Sequence, residues 1–588
     1  MPAVCSLIFL APGFLVTCGF RAKTMAGLAA AALLVFLATQ AVSATPVQVR
    51  TPYQIKESHF VPRGWKRLDR APQDHVIDLQ IGVKQGNFAA LEKRLYEGMY
   101  LMPATSAMAS TFLQRTSAKD WIKVALPVDS VERLLDTEYH TYEHADGTRV
   151  ARAPRWSLPR HLHEHIDTVQ PTTSFFRARA NKYDYIDAPV WVSSSYVAPS
   201  DETLGKVCNV SSVTPECFET LYDTKGYKAQ AAGENRVAFA NYLGEHPIRT
   251  DLEKFLAKAG PATPPLTPGE LARGTSKEAN LDVQAIAGIN WETPLVSYST
   301  GGSPPFDPSK STPTNTNEPY LDWVNYLLDL DSIPQVISTS YSDDEQTVPR
   351  AYAERVCAQF AAVGARGTSL LFASGDNGVG ADGACVSNDG TNSTRFLAGF
   401  PPSCPYVTAV GATMKFEPEV VAHRPASAGH GAYTSGGGFS NYFPTPEYQR
   451  AEVAAYVGGL GPAKYGGLYN ASGRAYPDVA AQGLYFAYFW NGTEGVISGT
   501  SASTPLLSGI VSLVNDARVA AGRPPLGWLN PWLYSRGYRG LNDVTSGSAH
   551  GCGVEGFPAV EGWDPVTGLG TPNFPALVEL AGGTFHST

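Results

Sequence analysis

Several features that would point directly to a function are missing from this sequence. Beyond the first 44 residues, no apolar run is long enough to span a bilayer, which argues against a membrane protein. The eight cysteines include no Cys-x-x-Cys pair, which argues against a zinc site. There are no internal repeats, heptads or phosphate-binding loops, and the net charge of −9 argues against nucleic acid as a partner.

The N-terminus has the pattern of a targeting segment. Two basic residues precede an almost wholly apolar run over 26–42, and small residues lead up to Ala44. We predict a signal peptide at 1–44 and a protein secreted to the extracellular space. A second apolar run lies further upstream, so residues 1–24 can be read as a gene-model extension before a true initiator at Met25. An uncleaved signal anchor is the alternative.

Cysteines and glycosylation motifs agree with a secretory route. Six cysteines lie beyond the leader and predict up to three disulfides, of which Cys208–Cys217 is a plausible local one. Four Asn-x-Ser/Thr sequons lie beyond residue 200 and predict a glycoprotein. The sequons begin at Asn209, Asn392, Asn470 and Asn491.

Charge divides the rest of the chain into two regions. Residues 45–200 carry 20 Lys and Arg against 17 Asp and Glu, with seven histidines, whereas residues 201–588 carry 23 against 37. This distribution suits a propeptide held by electrostatics, because falling pH charges its histidines and neutralises the carboxylates of the body. We predict a propeptide at 45–200 and cleavage within about 184–205, where exposed backbone is easily cut. The alternative is an ordinary folded N-terminal domain.

From about residue 205, apolar strand-like runs alternate with helical ones. This alternation predicts a parallel α/β sheet with functional loops at the carboxyl ends of its strands. The predicted strands are 236–243, 335–341, 369–373 and 406–411, and the predicted helices are 322–330, 350–363 and 501–521.

The most informative segment is Ser498-Gly499-Thr500-Ser501-Ala502-Ser503-Thr504-Pro505, which leads into an apolar, helix-compatible run. It places a serine hydroxyl at a helix N-terminus, where free N–H groups favour a developing negative charge. Acyl-transfer enzymes need this arrangement for a nucleophile, whereas the alternative is an ordinary capping serine. The octet resembles the nucleophile motif of subtilisin-like proteases. Their His-Gly-Thr and Asp-Thr-Gly or Asp-Ser-Gly motifs are missing, so Ser501 needs another base.

A candidate base lies in residues 276–288, whose apolar residues recur at helical spacing, with Ser276 as a candidate cap. Glu278 and Asp282 are four residues apart, so both carboxylates project from one helix face and repel each other. The repulsion is relieved if the pair shares one proton. Glu278 could then accept the proton of Ser501 while Asp282 holds Glu278 in place. The alternative is a solvated acidic stripe.

Together, Glu-Ala-x-Leu-Asp-Val-Gln at Glu278 and Ser-Gly-Thr-Ser-Ala-Ser at Ser501 resemble the signature of the sedolisins, the serine-carboxyl peptidases. A third family element is Ser-Gly-Asp-Asn-Gly at 374–378. The resemblance implies that Asp376 supplies the oxyanion hole, which requires a protonated carboxyl group. Taken alone, Asp376 could be an ordinary turn residue. The implied fold is a subtilisin-like α/β parallel sheet with helices on both faces, preceded by an α/β ferredoxin-like prodomain.

A fourth family element lies near the C-terminus and resembles a structural calcium site of two aspartates, three main-chain carbonyls and water. Carried over by position, the ligands of one Ca²⁺ are the side chains of Asp543 and Asp564 and the carbonyls of Val544, Val560 and Gly562. The family usually has glycine where Val560 stands. The alternative is a turn cluster rich in Gly, Pro and Asp.

Residues 201–588, the implied catalytic domain, are most similar to fungal tripeptidyl-peptidases, which remove three residues from a free N-terminus. The resemblance implies a secreted, acid-acting serine peptidase, made as a zymogen, with peptides, proteins and its own propeptide as partners. A carboxylate base has an ordinary pKa of about 4.3, which predicts a rate maximum well below neutrality. After cleavage of the signal peptide, we expect a monomeric protein that has no membrane as a partner. The alternatives are an acid endopeptidase of the family, an inactive binding protein of the same fold, and a histidine-dependent subtilase using His430.

Overall fold

The structure is a computed structural model that describes residues 52–59, 61, 65–84, 86–96, 114–115, 121–144, 147, 149–174, 202–259, 277–302, 304–312, 315–426, 432–461 and 463–584. The predicted signal peptide, most of the predicted cleavage region, Ser276 and His430 lie outside these ranges. Among the described residues, no helix is both long and apolar enough to cross a membrane.

The described residues of the N-terminal region form an α/β domain with nine strands and two helices. A four-stranded antiparallel sheet has the order β4-β5-β3-β9, and its strands follow a strand–helix–strand–strand–helix–strand path in which β6, β7 and β8 of other sheets are inserted before β9. This path and order are those of a ferredoxin-like fold, as predicted. The elements are β1 Tyr53–Ser58, β2 Trp65–Arg70, β3 Val76–Val83, α1 Phe88–Tyr96, β4 Gln114–Arg115, β5 Trp121–Pro127, α2 Val128–Leu135, β6 His140–His144, β7 Arg149–Arg152, β8 Arg155–Pro159 and β9 Ile166–Gln170.

The domain's core follows from the apolar spacing of its elements. Ile77, Leu79 and Ile81 alternate along β3 and are buried on one face of the sheet. Helix α2 buries Val128, Val131 and Leu135 against them, at the spacing of one helix face.

The C-terminal region holds the larger sheet and most of the helices. Its strands are β10 Val237–Asn241, β11 Leu295–Ser299, β12 Val336–Thr339, β13 Asp343–Asp344, β14 Ser369–Ala373, β15 Gly399–Phe400, β16 Thr408–Met414, β17 Val420–Val421, β18 His423–Arg424, β19 Tyr433–Thr434, β20 Gly438–Pro444, β21 Gly473–Tyr476, β22 Val479–Gln482, β23 Phe486–Trp490, β24 Thr493–Ile497, β25 Leu541–Asn542 and β26 Thr571–Pro572. Its helices are α3 Glu202–Val207, α4 Pro215–Leu221, α5 Arg249–Ala259, α6 Glu278–Ile289, α7 Tyr320–Asp329, α8 Arg350–Gly364, α9 Arg450–Leu460, α10 Thr500–Ala520, α11 Asn530–Ser535 and α12 Phe574–Leu580.

The central sheet is parallel and covered on both faces, as predicted. Strands pair in the order β11-β10-β12-β14-β16-β22, all parallel, and β17 adds an antiparallel edge to β16. Helices α6 and α10 pack on one face and α7 and α8 on the other. The four predicted strands and three predicted helices are all present, with small differences at their ends. A sheet buried on both faces explains why its strands are apolar without alternation.

The N-terminal domain packs against helix α8 through polar and apolar contacts. Trp121 is fully buried in the cluster that includes α7 and α8, and the Arg355 guanidinium lies 5.3 Å from its ring. The same guanidinium donates to the Val83 carbonyl at 2.7 Å and lies 3.4 Å from the Asp167 carboxylate. Here the cation belongs to the C-terminal domain, so the contact is not a simple pairing of a basic propeptide with an acidic body.

A second polar contact involves a histidine of the N-terminal domain. His59 directly follows β1 and lies between Glu57 of that strand and Asp307 of the C-terminal domain, at 2.8 and 3.0 Å. Burial would lower the pKa of His59, but these two carboxylates outweigh it and raise the pKa to about 10. The favourable charge is therefore fully present below the ordinary histidine pKa of about 6.5 and is lost as pH rises through 10. The prediction that histidines gain charge as pH falls does not hold at His59, which is already charged at neutral pH.

In the part of the chain that the structure describes, six cysteines form three disulfides. The predicted Cys208–Cys217 bond is present. The other two join Cys357 to Cys404 and Cys385 to Cys552, the last across 167 residues.

Candidate active site

Helix α6 carries both predicted carboxylates, Glu278 in its first turn and Asp282 one turn later. The two residues are 1% and 0% exposed, so this face is not a solvated acidic stripe. The helix is buried almost all round because apolar residues such as Leu281 and Ile286 lie on its other sides. Both acids are thereby held inside the protein.

A close helix contact sets the position of this pair relative to the predicted nucleophile. Helix α10 begins with Thr500 and Ser501 and packs along α6. At Gly509 of α10, an added Cβ would lie 2.1 Å from the Cγ2 atom of Ile289, so only glycine allows this approach. This close packing holds α10 alongside α6, and Ser501 and Glu278 lie in the first turns of the two helices.

Ser501 is 5% exposed, and its hydroxyl donates to the Ser340 carbonyl at 3.2 Å. The hydroxyl also lowers the pKa of Glu278, so the two side chains are neighbours. Among the described residues, neither Glu278 carboxylate oxygen has a hydrogen-bond partner. The hydrogen bond of the Ser501 hydroxyl therefore goes to the Ser340 carbonyl oxygen. The direct hydrogen bond from Ser501 to Glu278 is the one interaction that the predicted proton transfer still needs.

Acidic neighbours surround the carboxylate pair. Burial raises the pKa of Glu278 well above its ordinary value, and Asp282, Glu245 and Asp376 raise it further. Burial also raises the pKa of Asp282, which the Ser340 hydroxyl opposes by donating to it. Two buried acids that repel each other titrate as a pair, and the first proton is held tightly.

Asp376 lies on the loop after β14, facing the start of α10. Its Oδ1 atom accepts the main-chain N–H of Thr500 at 2.8 Å and the Thr500 hydroxyl at 2.9 Å. The loop turns at Gly378, where φ is 56° and an added Cβ would lie 1.9 Å from the His550 carbonyl oxygen. Burial raises the pKa of Asp376, although the Thr500 donors act against it. This favours the protonated form that a hydrogen-bond donor requires.

Glu278, Asp376 and Ser501 line one cavity of about 490 Å³, whereas Asp282 lies behind it. Two further acids, Asp343 and Asp344, line the same cavity. Asp343 accepts the Thr316 hydroxyl at 2.5 Å, and burial raises its pKa to about 7. Burial raises the pKa of Asp344 as well.

Sequence reasoning did not identify several of these residues. Ser340 was seen only as part of a strand, although the carboxyl end of a parallel strand is where functional side chains gather. Thr500 stood inside the octet without a role. Asp343 and Asp344 follow the same strand end as Ser340, so the same positional signal could have found all three.

The five predicted calcium ligands lie on two neighbouring loops. The Gly562 N–H donates to the Asp543 carboxylate at 2.8 Å, and the Val560 N–H donates to Asp564 at 3.1 Å. The Thr567 hydroxyl lies 3.4 Å from the Val544 carbonyl and 3.1 Å from Asp564. The structure therefore brings together the loops that carry all five.

The chemistry of this donor set is compatible with calcium. Asp564 is fully buried, burial raises its pKa to about 7, and it has no ion pair among the described residues. Within the described part of the chain, no group of three or more His, Cys, Asp or Glu side chains could hold a metal. An ion here would thus depend on main-chain carbonyls beside the two aspartates, which are ligands that Ca²⁺ accepts.

Two family models match the chain. The model described as "Subtilase family" matches residues 268–524, and that described as "Pro-kumamolisin, activation domain" matches residues 106–175. The first range contains Glu278, Asp376 and Ser501. Together with the fold, these matches define the class of the protein as a serine peptidase with a subtilisin-like catalytic domain and an N-terminal activation domain.

Relatives named as tripeptidyl-peptidases match about nine tenths of the chain. Tripeptidyl-peptidase SED2 of Arthroderma otae is 34% identical, over 93% of this chain and 99% of its own. Tripeptidyl-peptidase sed4 of Aspergillus fumigatus is 36% identical, over 88% of this chain and 95% of its own. On this identity and coverage, the chain belongs to the sedolisin family of tripeptidyl-peptidases. Among solved structures, a Pseudomonas sedolisin aligns at 21% identity with a TM-score of 0.47, over 63% of this chain and 98% of that chain.

Proposed function

We propose that this chain is an acid-acting serine-carboxyl peptidase that releases tripeptides from the free N-termini of peptides and proteins. The observation that carries the proposal is the position of Ser501, at a helix N-terminus and beside the buried Glu278. The names of the fungal relatives support the tripeptidyl specificity.

In this proposal Ser501 attacks the scissile carbonyl carbon, and its proton passes to Glu278. The oxyanion that forms accepts a hydrogen bond from the protonated Asp376 carboxyl group. Glu278 then returns the proton to the leaving amine, and water hydrolyses the acyl-enzyme by the same route. Asp282 keeps Glu278 in position and shares its proton.

The acid optimum follows from the protonation states that these steps need. Asp376 must keep its proton, and an ionised Asp376 would repel the oxyanion. The carboxylate pair must keep one proton and no more, because a protonated Glu278 cannot act as a base. We therefore expect a bell-shaped rate profile centred below neutrality.

Recognition of a free N-terminus is supported by the acidic wall of the cavity. Asp343 and Asp344 lie on the same cavity as Ser501. An ammonium group bound between them would favour their charged forms and compensate for their burial. A blocked N-terminus carries no such charge.

The decisive experiment compares a peptide with its N-acetylated twin across about pH 3 to 8, with product analysis. We expect tripeptides from the free peptide, little cleavage of the blocked one, and no turnover by Ser501→Ala. Equal cleavage of both peptides at internal bonds would instead favour an acid endopeptidase. Full activity of Ser501→Ala would rule out the serine mechanism.

We also propose the wider organisation implied by the sequence: a signal peptide at 1–44, a propeptide at 45–200 and a catalytic domain at 201–588. A structural Ca²⁺ would be held by the carboxylates of Asp543 and Asp564 and by main-chain carbonyls of the same loops. When bound, the ion would supply charge balance for these carboxylates and cross-link the two loops.

A further inference from the structure

Ser340 contacts both halves of the proposed catalytic machinery. It follows the last residue of β12 and is 2% exposed. Its hydroxyl donates to the Asp282 Oδ1 atom at 2.5 Å and lies 3.3 Å from the Ser501 carbonyl oxygen. Its own carbonyl accepts the Ser501 hydroxyl at 3.2 Å. One residue thus touches the nucleophile and the acid behind the base.

The oxygens that Ser340 does not contact form a second observation. Asp282 Oδ2 and both carboxylate oxygens of Glu278 are buried and have no hydrogen-bond partner among the described residues. Buried carboxylate oxygens without a donor are costly, so the interacting pair is expected to hold a proton. Because Oδ1 is occupied by the Ser340 hydroxyl, Oδ2 is the Asp282 oxygen left to share that proton with Glu278.

The charged groups that face the pair are also acidic. Glu245, from the loop after β10, acts on both carboxylates, and Asp376, from the loop after β14, acts on Glu278. Each disfavours a second negative charge on the pair. One proton therefore stays with Glu278 and Asp282, and its location depends on how the Asp282 carboxyl group is oriented.

We propose that Ser340 is a positioning residue of this peptidase, whose hydroxyl fixes the Asp282 carboxyl group so that Oδ2 shares the proton of the pair with Glu278. The inference rests on the proposed function and adds a specific residue to it. Without this hydroxyl, the Asp282 carboxyl group can turn, and the orientation that leaves Glu278 ready to accept the Ser501 proton is lost. The hydroxyl donates to Asp282 and not to an atom that reacts, so its loss should lower kcat more than it changes KM.

Two pairs of variants separate the hydroxyl from the packing. Ser340→Ala removes the hydroxyl, and Ser340→Thr and Ser340→Val have nearly the same shape but differ in it. Thr and Val both add a branch at Cβ, so any cost of packing it is common to the two variants. Ser338→Ala is the matched control, because Ser338 lies on β12, is fully buried, and its hydroxyl has no partner among the described residues.

All variants are made in the full chain, matured at acid pH and assayed on a free-amine peptide, with thermal unfolding measured in parallel. We expect Ser340→Ala and Ser340→Val to lower kcat by about 10- to 100-fold with KM within about twofold, because small misplacements of catalytic groups have effects of this size. Ser340→Thr should be at least about fivefold faster than Ser340→Val, and Ser338→Ala should stay near wild type.

The inference is overturned if Ser340→Val equals Ser340→Thr, if Ser338→Ala loses as much as Ser340→Ala, or if the loss appears only in KM. If Ser340→Ala does not fold, the comparison of Thr with Val decides alone. The Ser501→Ala variant separates failure of the proposed function from failure of the proposed role of Ser340. If Ser501→Ala keeps its activity, the proposed function itself is wrong. An inactive Ser501→Ala with equal Thr and Val variants would remove only the role of Ser340.

Discussion

Replacing Asp376 by asparagine tests whether this residue acts as a protonated donor. Its Oδ1 atom accepts two donors from Thr500, at 2.8 and 2.9 Å, and an amide oxygen can accept both. The amide NH₂ would then take the place of Oδ2, which lies 3.3 Å from where a Cβ on Gly499 would be. Asparagine therefore keeps the donor but cannot ionise. Alanine removes the donor, which costs about 10²- to 10³-fold in kcat, or about 2.7–4 kcal/mol.

We expect Asp376→Asn to stay within about tenfold of wild type at the acid optimum, because a neutral donor replaces a neutral donor. Burial raises the pKa of Asp376, so in the wild type activity falls as pH rises through that pKa and the carboxyl group ionises. Asp376→Asn should lose this fall, and its activity should extend to higher pH. The assay is kcat and KM on a tripeptidyl amide of a fluorescent amine across the pH range. An asparagine variant as slow as the alanine variant at every pH would refute the role of Asp376.

Three further predictions address the base, the ion and the propeptide. Glu278→Gln should lower kcat by about 10²- to 10⁴-fold with little change in KM, and retained activity on the same substrate would point to another base. Chelation should lower the melting temperature of the matured enzyme, and added Ca²⁺ should restore it. The melting temperature of Asp564→Asn should respond to neither. If chelation leaves the wild-type melting temperature unchanged, the proposed calcium site is wrong. Arg355→Ala removes the hydrogen bond to Val83 and the contact with Trp121. The zymogen should therefore mature faster at acid pH, as followed by gel electrophoresis over time. An unchanged rate would show that this contact does not limit release of the propeptide.

The sequence predicts the central sheet well because its strands are buried on both faces. The run Ser369–Ala373 is apolar after its first residue, and the helix Arg350–Gly364 precedes it in the chain. Glu278, Asp282 and Ser501 could be predicted equally well, because each lies in a sequence motif near the start of a helix. Apolar runs and short motifs of this kind can be recognised in a single sequence.

The rest depends on contacts between distant segments. Ser340 and Asp282 are 58 residues apart, and Asp376 and Thr500 are 124 apart, so no local pattern reports their hydrogen bonds. The charge of His59 was misjudged for the same reason, since Asp307, which raises its pKa, lies 248 residues away. Tertiary neighbours decided each of these properties.

The bond between Cys385 and Cys552 makes the active site depend on the redox state of the compartment in which the chain folds. It closes a loop of 167 residues and lies close to the turn at Gly378 and Gly380 that follows Asp376. A loop of this length contributes about 5 kcal/mol to stability when it is closed. Protein made in a reducing cytosol would lack this disulfide. The loop that carries Asp376 would then lose this covalent constraint, even where the sheet had formed. Recombinant production in an oxidising compartment, or refolding with a thiol–disulfide couple, is therefore a condition for obtaining a fair measure of its turnover.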